Sequence, residues 1–150
     1  MTDPKHWDAV YGSKSPDAVS WYAPHLDTSL EMIRRLALPS TARIIDVGGG
    51  ASTLPKDLLD SGFERPTVLD ISAAAVDAAR VQMGPDADHV DWLVGDVTSI
   101  ELPEAGFDLW HDRAVFHFLT DEAGRARYIA QVLRAVKPGG HVMVATFGPD

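Results

Sequence analysis

The chain has 150 residues, no cysteine, and 22 acidic side chains against 13 Lys and Arg, for a formal net charge of −9. Without cysteine there is neither a disulfide framework nor a thiolate metal site, and the acidic balance works against unaided binding to nucleic acid or anionic membrane, both of which are polyanions. No apolar run reaches the ~20 residues of a membrane-spanning helix, so the expectation is one cytoplasmic domain acting on a small-molecule or protein partner, with an aromatic segment over residues 1–25 and a core over 26–147.

The first segment carries Trp7, Tyr11, Trp21 and Tyr22 among Asp, Ser, Pro and Gly. These rings suit either a short helix packed on the flank of a sheet or a lid over a site. Leu26, Leu30, Ile33 and Leu36 then recur at helical spacing, Thr28 with Glu31 makes a capping box, and Pro39 ends the helix. Ile44-Ile45-Asp46-Val47 is too short and too apolar for anything but a buried strand. Gly48-Gly49-Gly50 follows it, where the backbone turns and a ligand comes closer than a Cβ would allow. Ser52 or Thr53 caps the next helix, Pro55 fits its first turn, Leu54, Leu58 and Leu59 face the core, and Gly62 stops it. Thr67-Val68-Leu69-Asp70 is the second strand. A helix runs from its cap at Ser72 to Gly84, burying Ala75, Val76, Ala79 and Met83. Asp91-Trp92-Leu93-Val94-Gly95-Asp96 is the third strand and its exit. Pro103, Glu104, Ala105 and Gly106 read as a turn, and residues 107–111 as the fourth strand. The last helix is expected from a cap at Thr120, with Ile129, Val132, Leu133 and Val136 buried, and the fifth strand over residues 141–147.

Three apolar runs thus end in carboxylates, Asp46, Asp70 and Asp96, at intervals of about one strand-helix-strand unit. Parallel strands joined by right-handed crossovers bring their carboxyl ends to one edge of the sheet, so the three acids line one crevice. Each Asp also suits a plain turn-capping role. The pattern resembles the class I S-adenosylmethionine-dependent methyltransferases from about residue 42 to 147. That resemblance implies an α/β fold, a Rossmann-like doubly wound mostly parallel sheet in the order 3-2-1-4-5, here lacking the family's C-terminal strand pair. It implies that S-adenosyl-L-methionine is the cofactor, with S-adenosyl-L-homocysteine as product. The loop of Asp46, Gly48, Gly49 and Gly50 would hold its methionine part, Asp70 its ribose, with the adjoining Ile71 a further cofactor-binding residue, and Asp96 with the Val97 backbone its adenine. Leu133-Arg134-Ala135-Val136-Lys137-Pro138-Gly139-Gly140 resembles the family's turn before its fifth strand. Ser52 departs from the family, whose loop often carries its last glycine there.

Trp110-His111-Asp112-Arg113-Ala114 resembles the Asp-Arg motif of thiopurine methyltransferase-like proteins, in which it borders the reacting methyl group. N-terminal aromatics cover the cofactor in that subgroup, and the resemblance makes Trp21 and Tyr22 the candidates for that role. His111 and Asp112 are therefore the candidate catalytic residues, His111 as a base for a protonated nucleophile. Their structural alternative is that His111 finishes the strand while Asp112 pairs with Arg113 or a helix N-terminus. His117, among Phe116, Phe118 and Leu119, reads as a core histidine. No spacing presents a facial metal-ligand set, so no metal is expected. Two other functions fit parts of the pattern: a nicotinamide-dependent oxidoreductase, which also uses glycines and a ribose-binding acid, and a non-catalytic S-adenosylmethionine-binding module. An apolar fifth strand at the sheet edge leads to the further expectation of a truncated chain or a homodimer paired through residues 141–147.

Overall fold

Ile44–Val47 forms β1, a strand buried along its whole length at the centre of the sheet. The computed structural model describes residues 27–48, 52–112, 115–116 and 119–144. Trp21, Tyr22, Gly49, Gly50 and His117 lie outside the described residues, as do the rest of the aromatic N-terminal segment and residues 145–147 of the expected fifth strand. β1 pairs in parallel with β2 (Thr67–Asp70) on one side and with β4 (Phe107–Asp112) on the other. β3 (Asp91–Val94) continues from β2, and β5 (Val136–Val144) from β4. The order is therefore 3-2-1-4-5 with every pairing parallel, as expected. The chain reverses direction of travel across the sheet between β1 and β4, which is where such sheets open a crevice at their carboxyl ends.

The two-residue period of the strands sorts their side chains onto two faces. Ile44 and Leu109, paired in register, turn to one face with Leu54, Leu58 and Ile33. Those partners come from α1 (Asp27–Leu36) and α2 (Leu54–Asp60). Ile45, Val47 and Trp110 turn to the other face and pack with Leu119 and Tyr128, the latter from α4 (Glu122–Ala135). α3 (Ala73–Met83) is capped as expected: Ser72 Oγ accepts from the Ala75 N–H at 3.1 Å, and Gly84, at φ 72°, closes it. A 3-10 turn, Gly84–His89, leads on to β3, and Lys56, paired within α2 to Asp60 at 2.8 Å, ties that helix to the turn through an ion pair of 3.0 Å to Asp86.

Several boundaries differ from the sequence reading. α1 already includes Thr28, so the Thr28 and Glu31 pair lies inside the helix rather than at its start. Its end precedes Pro39, with Ala37 in the left-handed region at φ 51°. At α2, Thr53 takes the cap position without a side-chain cap bond, and Ser52 Oγ accepts from the Leu54 N–H at 3.0 Å. α4 is capped by Asp121 rather than Thr120, its Oδ1 accepting from the Gly124 N–H at 2.9 Å, and a carboxylate there also suits the helix dipole. The buried stripe of α4 is Gly124, Tyr128 and Ala135, while Ile129 is 51 % and Leu133 77 % exposed. The aromatic residue claims the core because its hydroxyl finds buried partners there, and Ile129, the next residue, points about 100° round the helix from it.

β5 begins directly at Val136, and it is exposed apart from half-buried Val136, Gly140 and Met143. Val136 lies opposite Phe107 but His141 opposite Leu109, so the intervening Lys137-Pro138-Gly139-Gly140 bulges out of the pairing, with Gly139 at φ 80°. The expected turn is thus present as a bulge at the start of the strand. Beyond it Val142 and Val144 stay exposed on the sheet's outer strand.

Candidate functional site

The register of β1 on β4 sets Asp46 directly opposite His111. Both are almost fully buried, at 2 % exposure each, and His111 Nδ1 lies 3.0 Å from Asp46 Oδ1. An ionised carboxylate only accepts hydrogen bonds, so Nδ1 carries the proton in this contact. The other ring nitrogen, Nε2, lies 2.8 Å from Ser29 Oγ on α1. Both nitrogens of His111 are therefore engaged. Asp46 Oδ2 is buried and has no hydrogen-bond partner among the described residues. A buried carboxylate oxygen without a donor is costly, which marks the place where a ligand's N–H or ammonium group would be accepted.

Asp70 and Asp96 stand at the ends of β2 and β3 in a different local setting. Asp70 Oδ1 accepts from the Ser72 N–H at 2.9 Å, and Asp96 Oδ1 accepts from the Thr98 N–H at 2.8 Å and its hydroxyl at 2.7 Å. These are Asx turns, so one oxygen of each acid has the turn-capping role and fixes the carboxylate's direction. Asp70 and Ile71 are buried at the start of the turn into α3. Val97 is buried as well, and its carbonyl accepts from Gln131 Nε2 at 3.0 Å; the same amide reaches the Ile100 carbonyl at 2.6 Å. Gln131 thereby pins the loop after β3 to α4.

Asp112 faces away from His111, as alternation along β4 requires. It is wholly buried and receives the N–H groups of Val115 at 2.7 Å and Phe116 at 3.0 Å, together with the Tyr128 hydroxyl at 2.5 Å. Tyr128 accepts in turn from Trp110 Nε1 at 2.9 Å. Burial and the neighbouring Asp112 charge, with the hydrogen bond to it, push the Tyr128 phenol well above the ordinary tyrosine range. The turn held this way carries Val115 against the glycine turn. Gly48 has φ +75°, and a Cβ built there would fall 2.1 Å from Val115 Cγ2. Gly48 is also anchored by its N–H, which donates to the Leu69 carbonyl at 2.6 Å.

The structure thus brings Asp46, Gly48, Asp70, Ile71, Asp96, Val97, His111 and Asp112 to one edge of the sheet, with Asp112 on the opposite face from Asp46 and His111. Sequence reasoning missed Ser29, Tyr128, Val115 and Gln131. Ser29 was legible only in its spacing, one helical step of four residues before the buried Ile33. The residues fit a ligand that combines an amino acid with a nucleoside: an orphaned buried acceptor lies beside the glycine turn, and two directed carboxylates stand along the neighbouring strand ends.

The methyltransferase domain family matches residues 44–140 of the chain. Among curated proteins, the eEF1A lysine and N-terminal methyltransferase of Mus musculus is 26% identical over 144 residues, 92% of this chain but 20% of that protein. Nodulation protein S of Rhizobium tropici is 31% identical over 112 residues, 75% of this chain and 46% of that protein. The chain therefore spans from about a fifth to under half of these relatives. Among solved structures, an S-adenosylmethionine-dependent methyltransferase from Mesorhizobium loti superposes with a TM-score of 0.64 at 29% identity, over 77% of this chain and 52% of that one.

Proposed function

This chain belongs to the methyltransferase domain family, in the class I S-adenosylmethionine-dependent group, and on that premise we propose that it transfers a methyl group from S-adenosyl-L-methionine to a nucleophile on a small molecule or protein. The single observation that carries the reading is the unpartnered, buried Oδ2 of Asp46 next to the Gly48 turn. A nicotinamide-dependent oxidoreductase has no support from the family match.

When bound, the cofactor supplies a methyl group already activated on a sulfonium, which leaves by in-line displacement. The chain's own residues bind and orient. Asp46 with the Gly48 turn takes the amino-acid end, Asp70 and Ile71 the ribose, and Asp96 with the Val97 backbone the adenine. Gly49, Gly50, Trp21 and Tyr22 complete the proposed cofactor residues. Positioning contributes much of the rate in such a displacement, because a well-oriented pair reacts as if at very high concentration. His111 and Asp112 serve the reaction in this way: His111 holds Asp46, and Asp112 holds the turn that presses Val115 onto Gly48. The resemblance of residues 110–114 to thiopurine methyltransferase-like proteins favours an acceptor approaching beside this turn, while the names of the eEF1A relatives favour an amine nitrogen.

The remaining features belong to the same proposal. No helix among the described residues is long and apolar enough to cross a membrane, and a cytoplasmic enzyme of one domain fits the acidic, cysteine-free composition. Exposed Val142 and Val144 on the outer strand support a homodimer paired through residues 141–147. The test of activity is incubation with methyl-labelled S-adenosylmethionine and a panel of amine and thiol acceptors, including peptides. Label in an amine or thiol product supports the reading, whereas cofactor binding without turnover on any acceptor favours the non-catalytic module.

A further inference from the structure

We propose that Ser29 is a positioning residue of the cofactor site, acting through His111 to fix the Asp46 carboxylate for a cationic amino group. The proposal rests on the reading above that an amino-acid nucleoside binds at this edge.

The geometry follows from two matched repeats. Along β1 and β4, Ile44 pairs with Leu109 and Asp46 with His111, one two-residue step further toward the carboxyl edge. Such a step covers about 6.6 Å, and four residues of helix cover about 6 Å. Ile33 packs at the level of Ile44 and Leu109, and Ser29, four residues earlier on the same side of α1, meets His111 at the level of Asp46. The apolar lower half of this contact thus sets the height at which the polar upper half engages.

What this arrangement does is decided by the accounting of donors and acceptors. Asp46 Oδ1 is satisfied by His111, but Oδ2 is buried with no donor. A free carboxylate can rotate to share its oxygens among donors. Here the imidazole is gripped at both nitrogens, by Asp46 at 3.0 Å and Ser29 at 2.8 Å, so the ring plane is fixed and the carboxylate with it. Oδ2 is then held open for an incoming N–H group. An ammonium suits it best, since it neutralises the charge as well as donating. Orienting partners one layer behind a ligand-binding group matter in this way even though they never touch the ligand.

The test compares two ligands that differ only at the end in question. S-Adenosylhomocysteine carries the amino-acid ammonium; 5′-methylthioadenosine keeps the adenosine and sulfur but lacks it. By calorimetry, Ser29→Ala should bind S-adenosylhomocysteine roughly three- to tenfold more weakly, the loss of about one hydrogen bond, and 5′-methylthioadenosine as wild type does. Ser29→Thr, which keeps the hydroxyl, should restore the affinity. His111→Asn should show the same ligand-selective loss, and the double variant should fall no further than the weaker single one, as expected when both act on one group. Equal loss for both ligands, or none for either, overturns the proposal while leaving the methyltransferase reading intact. Failure of wild type to bind S-adenosylhomocysteine at all would overturn both.

Discussion

The Tyr128 hydroxyl donates to the buried Asp112 carboxylate at 2.5 Å and accepts from Trp110 Nε1 at 2.9 Å, so one phenol joins α4 to the last two residues of β4 that face it. Removing it by Tyr128→Phe takes a hydrogen bond from a charged group and leaves a buried indole N–H without its acceptor. The expected loss is about 1.5 to 3 kcal/mol in urea unfolding, with the midpoint lowered and the slope unchanged.

The same phenol makes a prediction about alkali. Burial, then the Asp112 charge and hydrogen bond, hold its folded-state pKa above the ordinary value of 10.0. Folding therefore favours the protonated form: the contribution is fully present below the unfolded pKa and declines as pH rises above it. Between about pH 9 and 11, a range around the ordinary tyrosine pKa, wild type should lose melting temperature more steeply than Tyr128→Phe. Parallel slopes would mean that Tyr128 carries no such linkage.

Much of the site edge was legible in the sequence because its signals are local. An apolar run ending in Asp and followed by glycine or a cap specifies a strand, its exit and the start of a helix, and this holds around Asp46 and Asp70, while at Asp96 the strand exits into a turn. The five-strand order came from the family resemblance that those units carry. What was not legible depends on pairs far apart in the chain. Ser29 meets His111 across 82 positions, and its spacing from Ile33 places it on the inner side of α1 without announcing that partner. Tyr128 displaced Ile129 and Leu133 from the core because its partners, Trp110 and Asp112, lie on another element, a choice that helical spacing alone cannot make. The bulge at Lys137 to Gly140 depended likewise on register with β4.

That rotation of α4 is open to direct measurement. Leu133 is 77 % exposed, so Leu133→Glu should change stability in this chain by no more than about 0.5 kcal/mol. Under the stripe expected from spacing, the same substitution would bury a charge and cost several times that.

Gly48 gives a test of the contact between the two turns. Gly48→Ala introduces a Cβ into the Val115 side chain at a positive φ, and should destabilise by about 1 to 3 kcal/mol. Adding Val115→Ala removes the collision but not the backbone strain, so chemical denaturation should show partial recovery only. Full recovery would assign the whole cost to the collision, and no recovery would separate Val115 from the glycine turn.

Asp70→Asn isolates the ribose role of that acid, because the amide oxygen can still accept from the Ser72 N–H while the charge is lost. Affinity for S-adenosylhomocysteine should fall roughly ten- to a hundredfold, corresponding to about 1.5 to 3 kcal/mol for a charge-assisted hydrogen bond, with little change in melting temperature. A melting temperature that falls while affinity holds would reduce Asp70 to its turn-capping role.

The most direct measurement of the central claim is calorimetric titration of the wild-type chain with S-adenosyl-L-homocysteine, run beside a nicotinamide dinucleotide. Saturable one-to-one binding of the former and none of the latter is the predicted result. Binding of the dinucleotide with no response to S-adenosylhomocysteine would contradict it.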